Sequence, residues 1–205
     1  MAGDQIIKNK KLILISIFAS LTAVGAYIKI PLPHVPVTLQ TFVVIMSGNV
    51  IGARYGAISQ IIYLTTGLLG APIFAYGGGP GYIFQPTFGY LLGYPFCAIV
   101  IGLLIKILLP GINRGNYSKF RIFFTYLFSD IFGVLTIFLF GLSYFYFNLK
   151  YGLYLNLDNA QLFAEISWQN IFKTGFIVFV PIDMIKVVLA SGLTMKLKRL
   201  AILKM

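Results

Sequence analysis

Thr87-Phe88-Gly89-Tyr90-Leu91-Leu92-Gly93-Tyr94-Pro95-Phe96-Cys97-Ala98-Ile99-Val100-Ile101-Gly102-Leu103-Leu104-Ile105-Lys106-Ile107-Leu108-Leu109 carries no charge before Lys106. A run of this kind is long enough to cross a bilayer, because about 20 mostly apolar residues span a hydrocarbon core about 30 Å thick. Cys97 sits within it and, as the lone cysteine of the chain, cannot close an internal disulfide. Whole-chain composition separates a membrane span from a buried soluble helix. Of the 205 residues, 59% are hydrophobic and 10% charged, with a mean hydropathy of +0.89. A soluble domain is about 45–50% apolar and about 25% charged. A soluble globule of this size could not hide so much apolar surface, so lipid must cover it.

To either side of this run, proline, glycine and charge mark off further apolar windows. Together they give six, at Leu12–Ile30, Thr38–Arg54, Ala57–Ala71, Thr87–Leu109, Ile122–Phe147 and Thr174–Met195. Six spans take up roughly 120 residues. The expectation is an all-α integral membrane protein, a six-transmembrane-helix bundle filling one domain over residues 1–205, with no room for a soluble catalytic or nucleotide-binding domain. Only Gly52-Ala53-Arg54-Tyr55-Gly56 separates the second window from the third, which calls for a tight turn that keeps Arg54 near water. Lys8, Lys10 and Lys11 ahead of the first window resemble a signal peptide, but no small-residue cleavage site follows, so the segment is read as a retained span.

The net charge of +11 would suggest nucleic acid in a soluble protein. In a membrane bundle it reflects the gathering of Lys and Arg in cytoplasmic loops, and no nucleic-acid partner is expected. Lys8, Lys10, Lys11, Arg54, Lys106, Arg114, Lys119, Arg121, Lys196, Lys198, Arg199 and Lys204 fall at one set of span ends. Lys29, Lys150 and Lys173 fall at the other. Both termini are therefore expected in the cytoplasm. Two loops are expected outside: Pro31 to Val37, which holds the only histidine, His34, and Pro72 to Pro86, centred on Gly77-Gly78-Gly79-Pro80-Gly81. Uncharged and rich in proline and glycine, they are expected to fold back against the bundle. The segment Asn148 to Lys173, with Asp158, Glu165 and Trp168, suits an amphipathic stretch at the interface.

A charge deep in a span costs about 2.5–3.5 kcal/mol on insertion scales and marks a functional candidate. Asp183 and Lys186 lie midway along the last window, three residues apart and so on one helical face. They are either a ligand site or a self-neutralising pair that permits insertion. Pro181 frees a backbone carbonyl nearby and favours a cavity. Asp130 in the fifth window either pairs with Lys186 or a backbone donor, or is structural. Gln40, Asn49, Tyr63, Thr87 and Tyr90 offer hydrogen bonds to a ligand or to neighbouring helices. The Gly77 to Gly81 run lacks the lysine and hydroxyl residue that end a phosphate loop. It reads instead as a place of close backbone approach, to a small molecule at the outer mouth. Ala19 and Ala23, four apart with Ser20 between them, would let another membrane helix come close, or serve internal packing.

Enzyme readings find no support, since His34 lies in a loop and the sequence holds neither a metal-ligand constellation nor an ATP-binding motif. If the chain moves a solute against a gradient, the energy comes from an ion or from a partner.

Five ordered motifs carry a resemblance. They are Pro36-Val37-Thr38-Leu39-Gln40-Thr41; Gly52-x-Arg54-x-Gly56-x-x-Ser59; Gly67-Leu68-Leu69-Gly70-Ala71-Pro72-Ile73-Phe74; Gly77-Gly78-Gly79-Pro80-Gly81 running on to Pro86-Thr87-x-Gly89-Tyr90-Leu91-x-Gly93; and Pro181-x-Asp183-x-x-Lys186-x-x-x-Ala190. In these the chain resembles the BioY family, the biotin-specific substrate-binding S components of energy-coupling-factor (ECF) transporters. The resemblance implies a six-helix subunit of the bacterial plasma membrane that binds biotin near its outer face, under the loop joining the first two helices. It implies as partners a transmembrane coupling subunit and two ATPase subunits, with toppling of the S component carrying the vitamin inward. Biotin is then cargo, and no cofactor is expected. Ala19 and Ala23 correspond to the family's coupling face, and Asp183 and Lys186 to its last-helix pair. Lys186 would serve the biotin carboxylate, Asp183 the ureido N–H or the orientation of Lys186, and Tyr63, Tyr82 or Tyr90 the rings. Gln40, Gly78, Gly79 and Thr87 complete the implied set. Phe88 stands where the pattern often has glycine, and Gly77 to Gly79 and Leu91 stand where some members have asparagine and arginine. The other readings are an S component for a different vitamin or a secondary carrier, and a membrane scaffold that transports nothing.

Overall fold

The computed structural model describes residues 2–31, 35–110, 117–151 and 168–199. Pro33, His34, Arg114, Asp158 and Glu165 lie outside the described residues.

The first helix, α1 (Ala2–Tyr27), starts well before the apolar window and stops three residues short of its end. The reason for the early stop is a two-residue strand, β1 (Lys29–Ile30), which pairs antiparallel with β2 (Val37–Thr38), Lys29 opposite Thr38 and Ile30 opposite Val37. Just beyond β2, Leu39 N–H donates to the carbonyls of Gly25 and Ile28 at 3.1 and 3.0 Å. The loop between the first two helices is thereby folded down onto the end of α1.

The second element, α2 (Gln40–Leu68), runs through both the second and third windows but is not one straight rod. At 1.5 Å per residue, Gln40 and Tyr63 would stand about 35 Å apart along an unbroken helix. Their side chains instead share a hydrogen bond of 2.5 Å. The Gln60 amide likewise donates to Ser47 Oγ at 3.5 Å. The chain therefore doubles back at Gly52, whose φ of 76° and ψ of 178° break the helix. Side-chain-bearing residues scarcely visit that region, so glycine is what makes the reversal affordable.

After a short 3₁₀ turn at Pro80–Phe84 come α3 (Phe88–Leu108) and α4 (Lys119–Lys150). A short α5 (Trp168–Phe172) passes through a π-helical turn, Lys173–Ile177, into α6 (Val180–Arg199). α2 packs on α1 and α3, α3 packs on α4, and α6 closes against α2 and α4. Five helices among the described residues are long and apolar enough to cross a membrane. Leu12, Ile13, Ile107, Leu139 and Leu189 point outward from them, as a lipid-facing surface requires. The chain is an all-helical, multi-pass membrane protein.

The glycine-rich loop lies on the bundle. Phe74 is buried with its ring centroid 4.6 Å from that of Tyr82 and 5.4 Å from that of Tyr63. A Cβ on Gly78 would stand 2.0 Å from the Ala71 carbonyl oxygen, and Gly79 N–H donates to the Gly67 carbonyl at 2.8 Å. The close backbone approach expected of this run is thus made to its own chain. Tyr27 donates to the Pro72 carbonyl and Lys29 to the Ala75 carbonyl, joining this loop to the strand pair.

Candidate functional site

The i, i+3 spacing on α6 turns Asp183 and Lys186 to one interior face, where they are only 5% and 7% exposed. The Lys186 ammonium donates to Asp183 Oδ1 at 2.6 Å. It also donates to the Thr38 carbonyl of β2 at 2.8 Å. An ammonium has three donors, and these contacts take two. The pair is held by its helix at one end and by the first loop at the other.

Beside it, Gln40 opens α2 and is fixed on both sides of its amide. Its Oε1 accepts from Thr38 Oγ1 at 2.9 Å, and its Nε2 donates to the Tyr63 hydroxyl. Tyr63 in turn donates to the Ile73 carbonyl at 3.1 Å. The hydrogen-bonded line Ile73, Tyr63, Gln40, Thr38 therefore runs from the glycine-rich loop to the strand residue whose carbonyl holds Lys186.

Aromatic walls rise from the 3₁₀ turn, α3, α4 and the residue just before α6. Tyr90 donates to the Gly175 carbonyl at 2.9 Å, tying α3 to the π turn, and its ring lies near Phe138 and Phe179 at 6.4 and 6.3 Å between centroids. The Tyr82 hydroxyl accepts from Thr87 Oγ1 at 3.3 Å. Burial pushes the Tyr82 phenol above its usual range, so it stays a neutral hydrogen-bonding group. These groups line a cavity that opens to the exterior.

Of the residues singled out in the sequence, Asp183, Lys186, Gln40, Tyr82, Thr87 and Tyr90 line this cavity together. Tyr63 stands behind Gln40, and Gly78 and Gly79 pack the loop onto the end of α2. Sequence reading did not pick out Thr38, Tyr94, Phe138 and Phe179 as lining residues, and the cavity has them all. Helical spacing could have found two of them. Thr87, Tyr90, Leu91 and Tyr94 follow i, i+3, i+4, i+7, and Phe179 precedes Asp183 by four. Phe138 carries no such signal.

Asp130 makes neither of the pairings considered for it. Its Oδ2 accepts from Asn49 Nδ2 at 3.2 Å and from Ser191 Oγ at 2.7 Å, so side chains of α2 and α6 take the place of Lys186 or a backbone donor. Asn49 thus belongs to that cluster. Ala19 is 8% exposed and packs within the chain's own core, while Ala23 is half-buried against it.

A multi-pass helical bundle with a tyrosine-walled cavity and a buried ion pair defines a membrane protein with the chemistry to hold a small polar solute. The floor offers an ammonium and a carboxylate, Gln40 and Thr38 offer neutral hydrogen bonds, and the walls suit an apolar ring. A model of the BioY family matches residues 2–202, and the chain belongs to that family. It is 38% identical over 172 residues to a probable biotin transporter BioY of Lysinibacillus sphaericus, covering 84% of this chain and 78% of that one. Biotin transporter BioY of Thermotoga maritima is 35% identical over 194 residues, 94% of this chain and 98% of its own length. Among solved structures, the S-component for biotin from an ECF-type ABC transporter shares the fold with a TM-score of 0.76 at 23% identity, covering 97% of this chain and 95% of that one.

Proposed function

We propose that this chain is the biotin-capturing S component of an ECF-type uptake transporter. The observation that carries the reading is the buried Lys186–Asp183 pair at the floor of a tyrosine-walled cavity, in a chain whose relatives are named for biotin. Biotin has a carboxylate, a ureido ring with two N–H donors and one carbonyl, and an apolar thiophane ring. Lys186 serves the carboxylate with its remaining donor. Asp183 accepts from a ureido N–H or orients Lys186, and Tyr82 and Tyr90 flank the rings. Gln40 and Thr87 add neutral hydrogen bonds, while Tyr63, Gly78 and Gly79 hold Gln40 and the covering loop in place.

The two arms of α2 count as two membrane helices in this reading, which gives six in all, with the Gly52 reversal on the cytoplasmic side beside Arg54. Both termini are cytoplasmic and the cavity opens outward, in keeping with the distribution of Lys and Arg. The sequence has no ATP-binding motif, so a coupling subunit and two ATPase subunits supply the work, with Ala19 and Ala23 of α1 at the coupling face.

Equilibrium binding of biotin to the detergent-purified chain tests the proposal. Saturable one-to-one binding that is weaker for biotin amides is expected. Failure to bind, or recovery of a different vitamin with the purified protein by mass spectrometry, overturns it.

A further inference from the structure

A second polar cluster lies in the bundle interior, and none of its residues lines the cavity. Asp130 on α4 is 0% exposed. Its Oδ2 is served by Asn49 on α2 and Ser191 on α6, as described. Its Oδ1 is sealed from solvent without a hydrogen-bond partner, and so is the Oδ1 of Asn49. Tyr126 on α4 and Cys97 on α3 are titratable groups close enough to feel its charge, both neutral in their ordinary form. Ser191 is its contact from α6. No lysine or arginine pairs with Asp130 among the described residues, where the salt bridge found is that of Lys186 with Asp183.

An uncompensated carboxylate in the middle of a membrane bundle is costly, and such groups pair, neutralise or coordinate a cation. Two acceptor oxygens cannot satisfy each other. One positive charge shared by them satisfies both and cancels the carboxylate, whereas a divalent ion would leave a net positive charge in a low-dielectric interior. A divalent site would also call for more carboxylates than this one. We propose that Asp130 and Asn49 bind a single monovalent cation, either a proton or an alkali ion, between α2, α4 and α6. The bound charge then acts as a brace joining three helices that meet away from the solute cavity. The inference does not depend on the identity of the solute.

Infrared spectra of the full purified chain in choline chloride, and again after exchange to sodium or potassium chloride, test this directly. A bound proton is expected to give the carbonyl band of a protonated carboxylic acid near neutral pH in choline. A bound alkali ion is expected to give a carboxylate band that shifts on exchange from choline. Either feature should vanish in Asp130→Asn, which keeps partners for Asn49 and Ser191. Thermal unfolding gives a second readout. For an ion bound by the folded state alone, each tenfold step in its concentration should move Tm by about 3–6 °C. That rise should follow alkali concentration if an alkali ion is bound, and falling pH in choline if a proton is. The Asn49→Ala chain retains Asp130 and serves where Asp130→Asn fails to fold: an alkali-dependent shift should be lost there, whereas a protonated Asp130, relieved of the Asn49 N–H donor, should keep its carbonyl band. An Asp130 carboxylate that is ionised in choline and unmoved by alkali ions overturns the proposal. So does a Tm dependence on both ions that is the same in the native chain and in Asp130→Asn.

Discussion

Lys186 is an ammonium confined between a carboxylate of its own helix and a backbone carbonyl from the far end of the chain. Truncating one member of a buried, hydrogen-bonded charge pair costs about 2–5 kcal/mol, or roughly thirty-fold to several thousand-fold in Kd. Lys186→Ala is expected to weaken biotin binding by that factor, measured by titration of the purified variant, and biotin amides should lose less. Were the pair only a device for insertion, Lys186→Ala would impair folding and the double change with Asp183→Ala would restore both folding and binding. The charged residues of this site were legible in the sequence because charge in an apolar window has few innocent explanations. Its aromatic walls were less so. Phenylalanine and tyrosine abound in every span, and which of them face inward is settled by how α3, α4 and α6 rotate against one another. Gln40 and Tyr63 were both visible as polar groups, but their order, one at the cavity and one behind it, follows from the reversal of α2.

That reversal shows where hydropathy stops being informative about elements. Windows found the apolar stretches, since each is marked off by proline, glycine or charge, and the turn expected over Gly52 to Gly56 falls at Gly52. Their ends were harder to read. The first helix yields to a strand pair at Lys29, and the last begins in a π turn, both tertiary choices that apolarity does not record. At Gly52 an added Cβ would meet nothing within 4 Å, so the whole cost of replacement lies in the backbone. Gly52→Ala is expected to destabilise the chain by about 1–3 kcal/mol, read as a lowered thermal midpoint in detergent. Helix α1 offers a different test. Ala19 is packed inside the chain, so the partly exposed Ala23 is the cleaner probe of the coupling face. Ala23→Trp should block assembly with the coupling subunit while the isolated subunit still binds biotin. If co-purification of the complex and uptake both survive the change, Ala23 serves internal packing alone.

For the whole molecule, composition alone called for a membrane, and the distribution of basic residues predicts cytoplasmic termini. Gly81 is exposed on the loop covering the cavity, and an added Cβ there would meet nothing within 4 Å. Cys97 is wholly buried, so it contributes little background to thiol labelling. An impermeant thiol reagent added to intact cells is expected to label Gly81→Cys and to spare Arg114→Cys. The opposite result inverts the topology. The hydrogen bond from Lys186 to Thr38 joins positions 148 residues apart. Thr194 reaches Met46 over the same separation, at 3.4 Å. Ribosomal synthesis runs from the amino end, so the first four helices emerge while the solute chamber still lacks its floor. Contacts between such distant positions also form late and slowly. If Lys186 and Asp183 hold the cargo as proposed, a nascent chain is inserted, threaded and packed across most of its length before it can bind. On that reading recognition begins when translation reaches α6, and a transcript cut short there is expected to yield a membrane protein that occupies the bilayer and captures little.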